Sequence, residues 1–123
     1  MGRRILFITT DQQRFDSLGC NGGGIARTPN IDALARRGTR FDAAYTNSPI
    51  CVPARASFAT GQYVHAVRCW DNAIAYAGQP RAWGHRLQEA GVPVESIGKL
   101  HYRDAQADTG FDRQQEAVHL EGV

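Results

Sequence analysis

The stretch Asn47 to Ser57, reading Asn-Ser-Pro-Ile-Cys-Val-Pro-Ala-Arg-Ala-Ser, constrains this chain more than any other. It sets Cys51 between two prolines, with Arg55 four residues further on. Pro49 and Pro53 remove backbone donors and keep the segment out of regular structure up to the second proline. Pro53 suits the first position of a helix, where an N–H would have no partner anyway. The spacing then predicts a helix over Ala54 to Thr60, stopped by Gly61. Cys51 would sit just ahead of that helix, where open N–H groups and the dipole favour an anion. Arg55, one turn in, offers a donor fork suited to tetrahedral oxyanions. Two readings of Cys51 follow from this alone. It is a buried structural cysteine in a loop, or a sulfur activated by a helix N-terminus and a cation.

The rest of the chain reads as alternating strands and helices. Ile5 to Thr9 is a continuous apolar run, as in a parallel strand covered on both faces. It empties into Thr10-Asp11-Gln12. Ligands of open α/β sheets bind beyond the carboxyl ends of strands, so Asp11 is either a ligand-facing residue or the cap of a short helix over Arg14 to Leu18. Thr28 and Pro29 open a helix that ends at Gly38, with Ile31, Leu34 and Ala35 on one stripe and Asp32, Arg36 and Arg37 on the wet side. Phe41 to Thr46 reads as a second strand. Beyond Gly61 the periodicity is poor and reads as a loop, in which His65 is a surface or packing residue and Asn72 a turn residue after Asp71. Trp83, Leu87 and Ala90 form the apolar stripe of a helix stopped by Gly91, with His85 and Arg86 toward water. Pro93 to Ile97 is a third strand, ending at Gly98-Lys99-Leu100-His101-Tyr102. Lys99 offers a point charge, and His101 a group that titrates near neutral pH. After Tyr102 the pattern fades into loop or poorly formed helix.

Composition excludes several classes. The chain has 123 residues and a formal net charge of +2, with no basic run to bind nucleic acid. Its 13 glycines suit a loop-rich α/β fold. Three cysteines make no disulfide framework, with a Cys20–Cys69 bridge as the alternative to free thiols. No segment approaches the roughly 20 apolar residues of a membrane span. No signal-peptide core follows Met1-Gly2-Arg3-Arg4, so the cytoplasm is the default expectation and the periplasm the alternative.

Cys51-x-Pro53-x-Arg55 with Ala56-Ser57-Phe58-Ala59-Thr60-Gly61 resembles the signature of the formylglycine-dependent sulfatases, in the alkaline phosphatase-like superfamily. Three further places match in order: Asp11-Gln12 after the first strand, Thr28-Pro29-Asn30-Ile31-Asp32-x-Leu34-Ala35-x-x-Gly38, and Gly98-Lys99-x-His101. The resemblance implies an α/β fold, a mostly parallel sheet flanked by helices, here incomplete. It covers about residues 1–102, so that 1–123 reads as the N-terminal portion of a catalytic domain and 103–123 as a loop or poorly ordered tail.

The same resemblance implies that a separate formylglycine-generating enzyme oxidises Cys51 to formylglycine, whose hydrate is both nucleophile and metal ligand. Asp11 matches a ligand of one divalent cation, calcium first, with manganese or magnesium as alternatives. Gln12 stands where many sulfatases carry a second Asp, an Asp-Gln form similar to choline sulfatases and phosphonate monoester hydrolases. Lys99 and His101 match groups that contact sulfate or the nucleophile, and Asn72 resembles a residue that contacts substrate oxygens. The implied reaction is hydrolysis of a sulfate ester, of a small molecule or carbohydrate, with Arg55 and Lys99 stabilising oxyanion charge. A phosphodiester or phosphonate substrate is the alternative on the same residues. The second acidic pair of the metal site is expected in a remaining C-terminal part. A non-catalytic remnant or anion-binding module is the alternative from another class, and the isolated chain is expected to be inactive.

Overall fold

The computed structural model describes residues 4–119. Met1 to Arg3, and the last four residues of the expected tail, lie outside the described residues. The chain divides into two compact units, residues 1–44 and 45–123. No helix among the described residues is long and apolar enough to cross a membrane.

The first unit is organised by its helix α1, Pro29–Arg37. Pro29 opens it and Gly38 follows its end, as the residue types require. Thr28 occupies the N-cap position, but its hydroxyl is used differently from an ordinary cap. Thr28 Oγ1 donates to Asp32 Oδ1 at 2.9 Å and accepts from the Gly19 N–H at 2.9 Å. The same Asp32 oxygen accepts the Cys20 N–H at 2.8 Å. Asp32 is therefore not on the wet side of the helix. It fastens a short 3₁₀ turn, Gly19–Asn21, to the first turn of α1. A second 3₁₀ turn, Phe15–Ser17, stands where the short helix was expected.

Two expected strands are absent. Residues 5–10 form no ladder, and Ile5 and Ile8 are 89% and 74% exposed. Phe41 to Thr46 likewise forms none. An apolar β-rich run becomes a strand only when a neighbour takes its N–H and C=O groups. Among the described residues neither run is paired as a strand.

The second unit carries α2, Cys51–Thr60, α3, Val64–Val67, and α4, Trp83–Glu89. Strands β1, Glu95–Lys99, and β2, Arg113–Val118, complete it. Helix α2 starts earlier than Pro53: Cys51 is its first residue and Pro53 its third. That shift costs nothing, since none of the first three N–H groups has an intrahelical acceptor. Gly61 closes the helix in the left-handed region, its N–H on the Ser57 carbonyl at 2.8 Å. Ala56 and Ala59 turn into the core with Val67, Cys69, Tyr76, Ala82 and Tyr102, and Leu100 and Phe111 pack against this cluster. Residues 64–67 were expected as loop; they make one helical turn, with Tyr63 and His65 stacked at 5.7 Å on the surface.

Helix α4 buries a different face from the one its apolar stripe suggests. Leu87 is 38% exposed, while Gly84 and His85 are buried, His85 at 1%. The reason is a close backbone approach. A Cβ on Gly84 would lie 2.2 Å from the Gly110 carbonyl oxygen. The gap left by glycine lets residues 108–110 lie on the helix, and His85 fills the remaining space. Its Nδ1 accepts the Ala82 N–H at 2.9 Å. That fixes the proton on Nε2, which donates to the Asp108 carbonyl at 3.2 Å.

Strands β1 and β2 pair in parallel, Glu95 opposite Arg113 and Ile97 opposite Gln115. The register slips before Lys99 meets Val118. Gly98 at φ +89° and Glu116 at φ +47° take up the irregularity. β1 begins two residues later than Pro93, so Gly98 and Lys99 belong to the strand. β2 falls where a loop or poor helix was expected. Its Arg-Gln-Gln-Glu-Ala-Val sequence has no apolar alternation, because it is held by backbone pairing at an edge and not by a buried face. The observed architecture is a small parallel sheet flanked by helices.

Candidate functional site

The site is built around the N-terminus of α2. Its N-cap residue, Ile50, has an apolar side chain and cannot cap. Ala54 N–H bonds the Ile50 carbonyl at 3.0 Å, as a first turn requires. Pro53 has no N–H. The Val52 N–H is taken from outside the helix, by Asn72 Oδ1 at 3.1 Å. Cys51, half-buried, is left at the head of the helix with the remaining first-turn donor, its own N–H. The loop before it is held by side chains. Ser48 Oγ accepts the Ile50 N–H at 3.2 Å, and Asn47 Nδ2 donates to Ser57 Oγ at 2.5 Å.

Arg55 lies in the following turn, and its Nη1 donates to the Lys99 carbonyl at 2.5 Å. The guanidinium thereby fastens α2 to the end of β1. His101 follows with φ +58°, its N–H on the Val118 carbonyl at 2.8 Å. β2 thus holds the strand end that carries Lys99 and His101, a role its polar sequence did not signal. Tyr102 turns back into the core against Tyr76, ring centroids 5.1 Å apart. Burial pushes the Tyr102 phenol well above its ordinary value; Tyr76 adds to this and Arg55 offsets part of it. Cys69 is also in the core, and burial pushes its thiol up, as expected of an inert structural cysteine. Cys20, Cys51 and Cys69 are all free thiols.

The second unit therefore brings together Cys51, Arg55, Asn72, Lys99 and His101. Asn72 enters through a bond to the backbone of α2, which no local pattern around it announced. The turn that presents it is ordinary: Asp71 Oδ1 accepts the Ala73 N–H at 2.8 Å. Asp11 and Gln12 lie in the first unit, both exposed, Gln12 with φ +54°. Both are oxygen donors of the kind a hard divalent cation takes. Among the described residues, however, no group of three or more His, Cys, Asp or Glu stands ready to hold a metal.

Cys51, half-buried, heads α2, with Arg55 one turn on and Lys99 at the end of a neighbouring strand. The sequence matches the Sulfatase family over residues 3–120. The chain belongs to the sulfatase family. It is 42% identical over 96 residues to the uncharacterized sulfatase YidJ of Escherichia coli K12, covering 78% of this chain and 19% of that protein. It is 36% identical to the choline-sulfatase of Rhizobium meliloti, covering 89% of this chain and 22% of that protein. A solved structure in complex with its substrate, D-glucosamine-2-N,6-O-disulfate, superposes with a TM-score of 0.77 at 34% identity. That match covers 85% of this chain and 21% of the other. The chain thus spans about a fifth of the sulfatases it matches.

Proposed function

We propose that this chain carries the nucleophile and the anion-facing cations of a sulfuric ester hydrolase, with Cys51 converted to formylglycine. The observation that carries the reading is the join between α2 and β1. Cys51 heads the helix, and the arginine one turn later is fastened to the carbonyl of Lys99.

The residues around Cys51 fit a formylglycine. The position is half-buried at a helix N-terminus, with an N–H donor beside it and Ala54 and Arg55 in the next turn. When formed, the group supplies a hydrated aldehyde, and hence a nucleophilic hydroxyl. Arg55 holds the head of α2 against the strand end. Lys99 neutralises charge on the sulfate oxygens, and the α2 N-terminus adds its dipole. His101 holds or passes a proton between the nucleophile and the ester oxygen. The Asn72 amide keeps its NH₂ end as a donor for a substrate oxygen, since its carbonyl end is spent on Val52.

Asp11 and Gln12 are assigned to a divalent cation, calcium first. They fit in kind but not in number, because calcium takes about 6–8 oxygens.

The substrate class is a sulfate ester, and a sulfated sugar is favoured by the solved neighbour that carries a disulfated glucosamine. The test is turnover of an aryl sulfate and of a sulfated glucosamine by the whole protein of which this chain is part. It is co-expressed with a formylglycine-generating enzyme and compared with Cys51→Ala. Sulfate release that disappears in the variant is expected. Equal release by both would overturn the assignment of Cys51, and turnover of phosphonate monoesters alone would overturn the sulfate assignment.

A further inference from the structure

Helix α2 has a defect at its most consequential end. An N-cap side chain normally accepts the N–H of the second or third helical residue. Ile50 offers no acceptor, and the third residue, Pro53, has no N–H to satisfy. Of the two N–H groups in the first turn that need an outside acceptor, those of Cys51 and Val52, the one on Val52 belongs to a residue only 1% exposed. Asn72, twenty residues downstream, supplies that acceptor at 3.1 Å.

The turn that presents Asn72 is itself fixed. Asp71 bonds Ala73 through its side chain at 2.8 Å, and its carbonyl accepts the Ile74 N–H at 3.4 Å. On its other side the chain runs back into the core through Cys69, 4% exposed. The Asn72 carbonyl is therefore offered from a braced turn to a braced helix, and the residue next to the bonded N–H is Cys51.

We propose that Asn72 is a positioning residue: its side-chain carbonyl serves as the N-cap that residue 50 cannot provide, and so fixes the first turn of α2 and the setting of Cys51. The role requires an acceptor at this place and nothing else. Aspartate would keep it, with a carboxylate that the helix N-terminus favours, while alanine would remove it. A turn residue chosen only for its backbone, or a residue acting solely through its NH₂ donors, would behave differently. The inference rests on the reading of Cys51 as the reacting position. Its test reads amide exchange without turnover, so the two can fail separately.

The experiment is hydrogen exchange of the 123-residue chain, resolved to single amides by NMR, for the parent, Asn72→Ala and Asn72→Asp. In Asn72→Ala the Val52 amide is expected to exchange about five- to tenfold faster, while Phe58 and Ala59, in the last turn of α2, keep their rates. In Asn72→Asp the Val52 rate is expected to return to within about twofold of the parent. Three results would overturn the proposal: an unchanged Val52 rate in Asn72→Ala, uniform acceleration along α2, or Asn72→Asp as fast as Asn72→Ala. If Asn72→Ala does not fold, Asn72→Asp decides alone: protected Val52 upholds the capping role and an unprotected one refutes it.

Discussion

Replacing Gly84 by alanine sets two effects of opposite sign against each other. In a helix interior alanine is more favourable than glycine by about 1 kcal/mol. On helix propensity alone, Gly84→Ala should therefore stabilise α4. The packing argues the reverse. The new Cβ would lie 2.2 Å from the Gly110 carbonyl oxygen and 2.9 Å from its carbon. Both atoms are backbone, so no rotamer change relieves the clash. Segment 108–110 must retreat by about 1 Å to reach ordinary contact distance. That movement also strains the 3.2 Å bond from His85 Nε2 to the Asp108 carbonyl.

Overpacking of this kind costs about 1–3 kcal/mol, and the loss of the histidine bond adds about 1 kcal/mol. Net of propensity, Gly84→Ala is expected to destabilise by about 1–3 kcal/mol. With a urea m-value of about 2 kcal/mol/M the midpoint should fall by about 0.5–1.5 M. Trp83 is the built-in reporter, packed edge-on to Phe58 at 6.0 Å and to Phe111 at 5.8 Å. Urea titration followed by its fluorescence measures the shift. A midpoint that rises, as propensity alone requires, would refute the close approach of residue 110 to α4.

Two further outcomes follow from the same geometry. Arg55→Lys keeps the charge but loses the fork that reaches the Lys99 carbonyl, so in the whole enzyme kcat should fall about 100-fold or more against an aryl sulfate; a kcat within about threefold of the parent would show that the join of α2 to β1 is not used. Burial, with Asp108 adding to it, pushes the Tyr76 phenol up to about 12. A raised folded value means the neutral phenol is favoured in the folded state. That stability is present in full below about pH 10 and is lost as pH rises toward 12. Urea midpoints should fall over that window in the parent and less steeply in Tyr76→Phe, whereas identical slopes would remove Tyr76 from the alkaline transition.

What the sequence made legible was local. Thr28-Pro29 and Gly38 bound α1, and Gly61 ends α2, because cap and stop residues act through their immediate neighbours. Cys51 and Lys99, expected just outside the helix and the strand, are instead the first residue of α2 and the last of β1, because each element runs past the local signal that was read as its end. What depended on distant partners was not legible. Ile5 to Thr9 and Phe41 to Thr46 have strand composition, but a strand exists only by pairing. β2 has no strand composition and exists because β1 pairs with it. His85 looked solvated until Gly84 admitted residue 110 to the helix surface, and Asp32 looked solvated until the Cys20 N–H turned to it. Asn72 stands between the two cases. Its place in the site was suggested by resemblance, while its bond to Val52 spans twenty residues and leaves no local trace.

The most direct test of the central claim is the mass of the peptide containing Cys51, cut from the protein purified from its native source. The expected result is a peptide in which the thiol has been replaced by an aldehyde or its hydrate, with Cys20 and Cys69 recovered as alkylated thiols. Cys51 recovered entirely as a thiol, from protein that releases sulfate, would contradict the assignment of this residue as the precursor of the nucleophile.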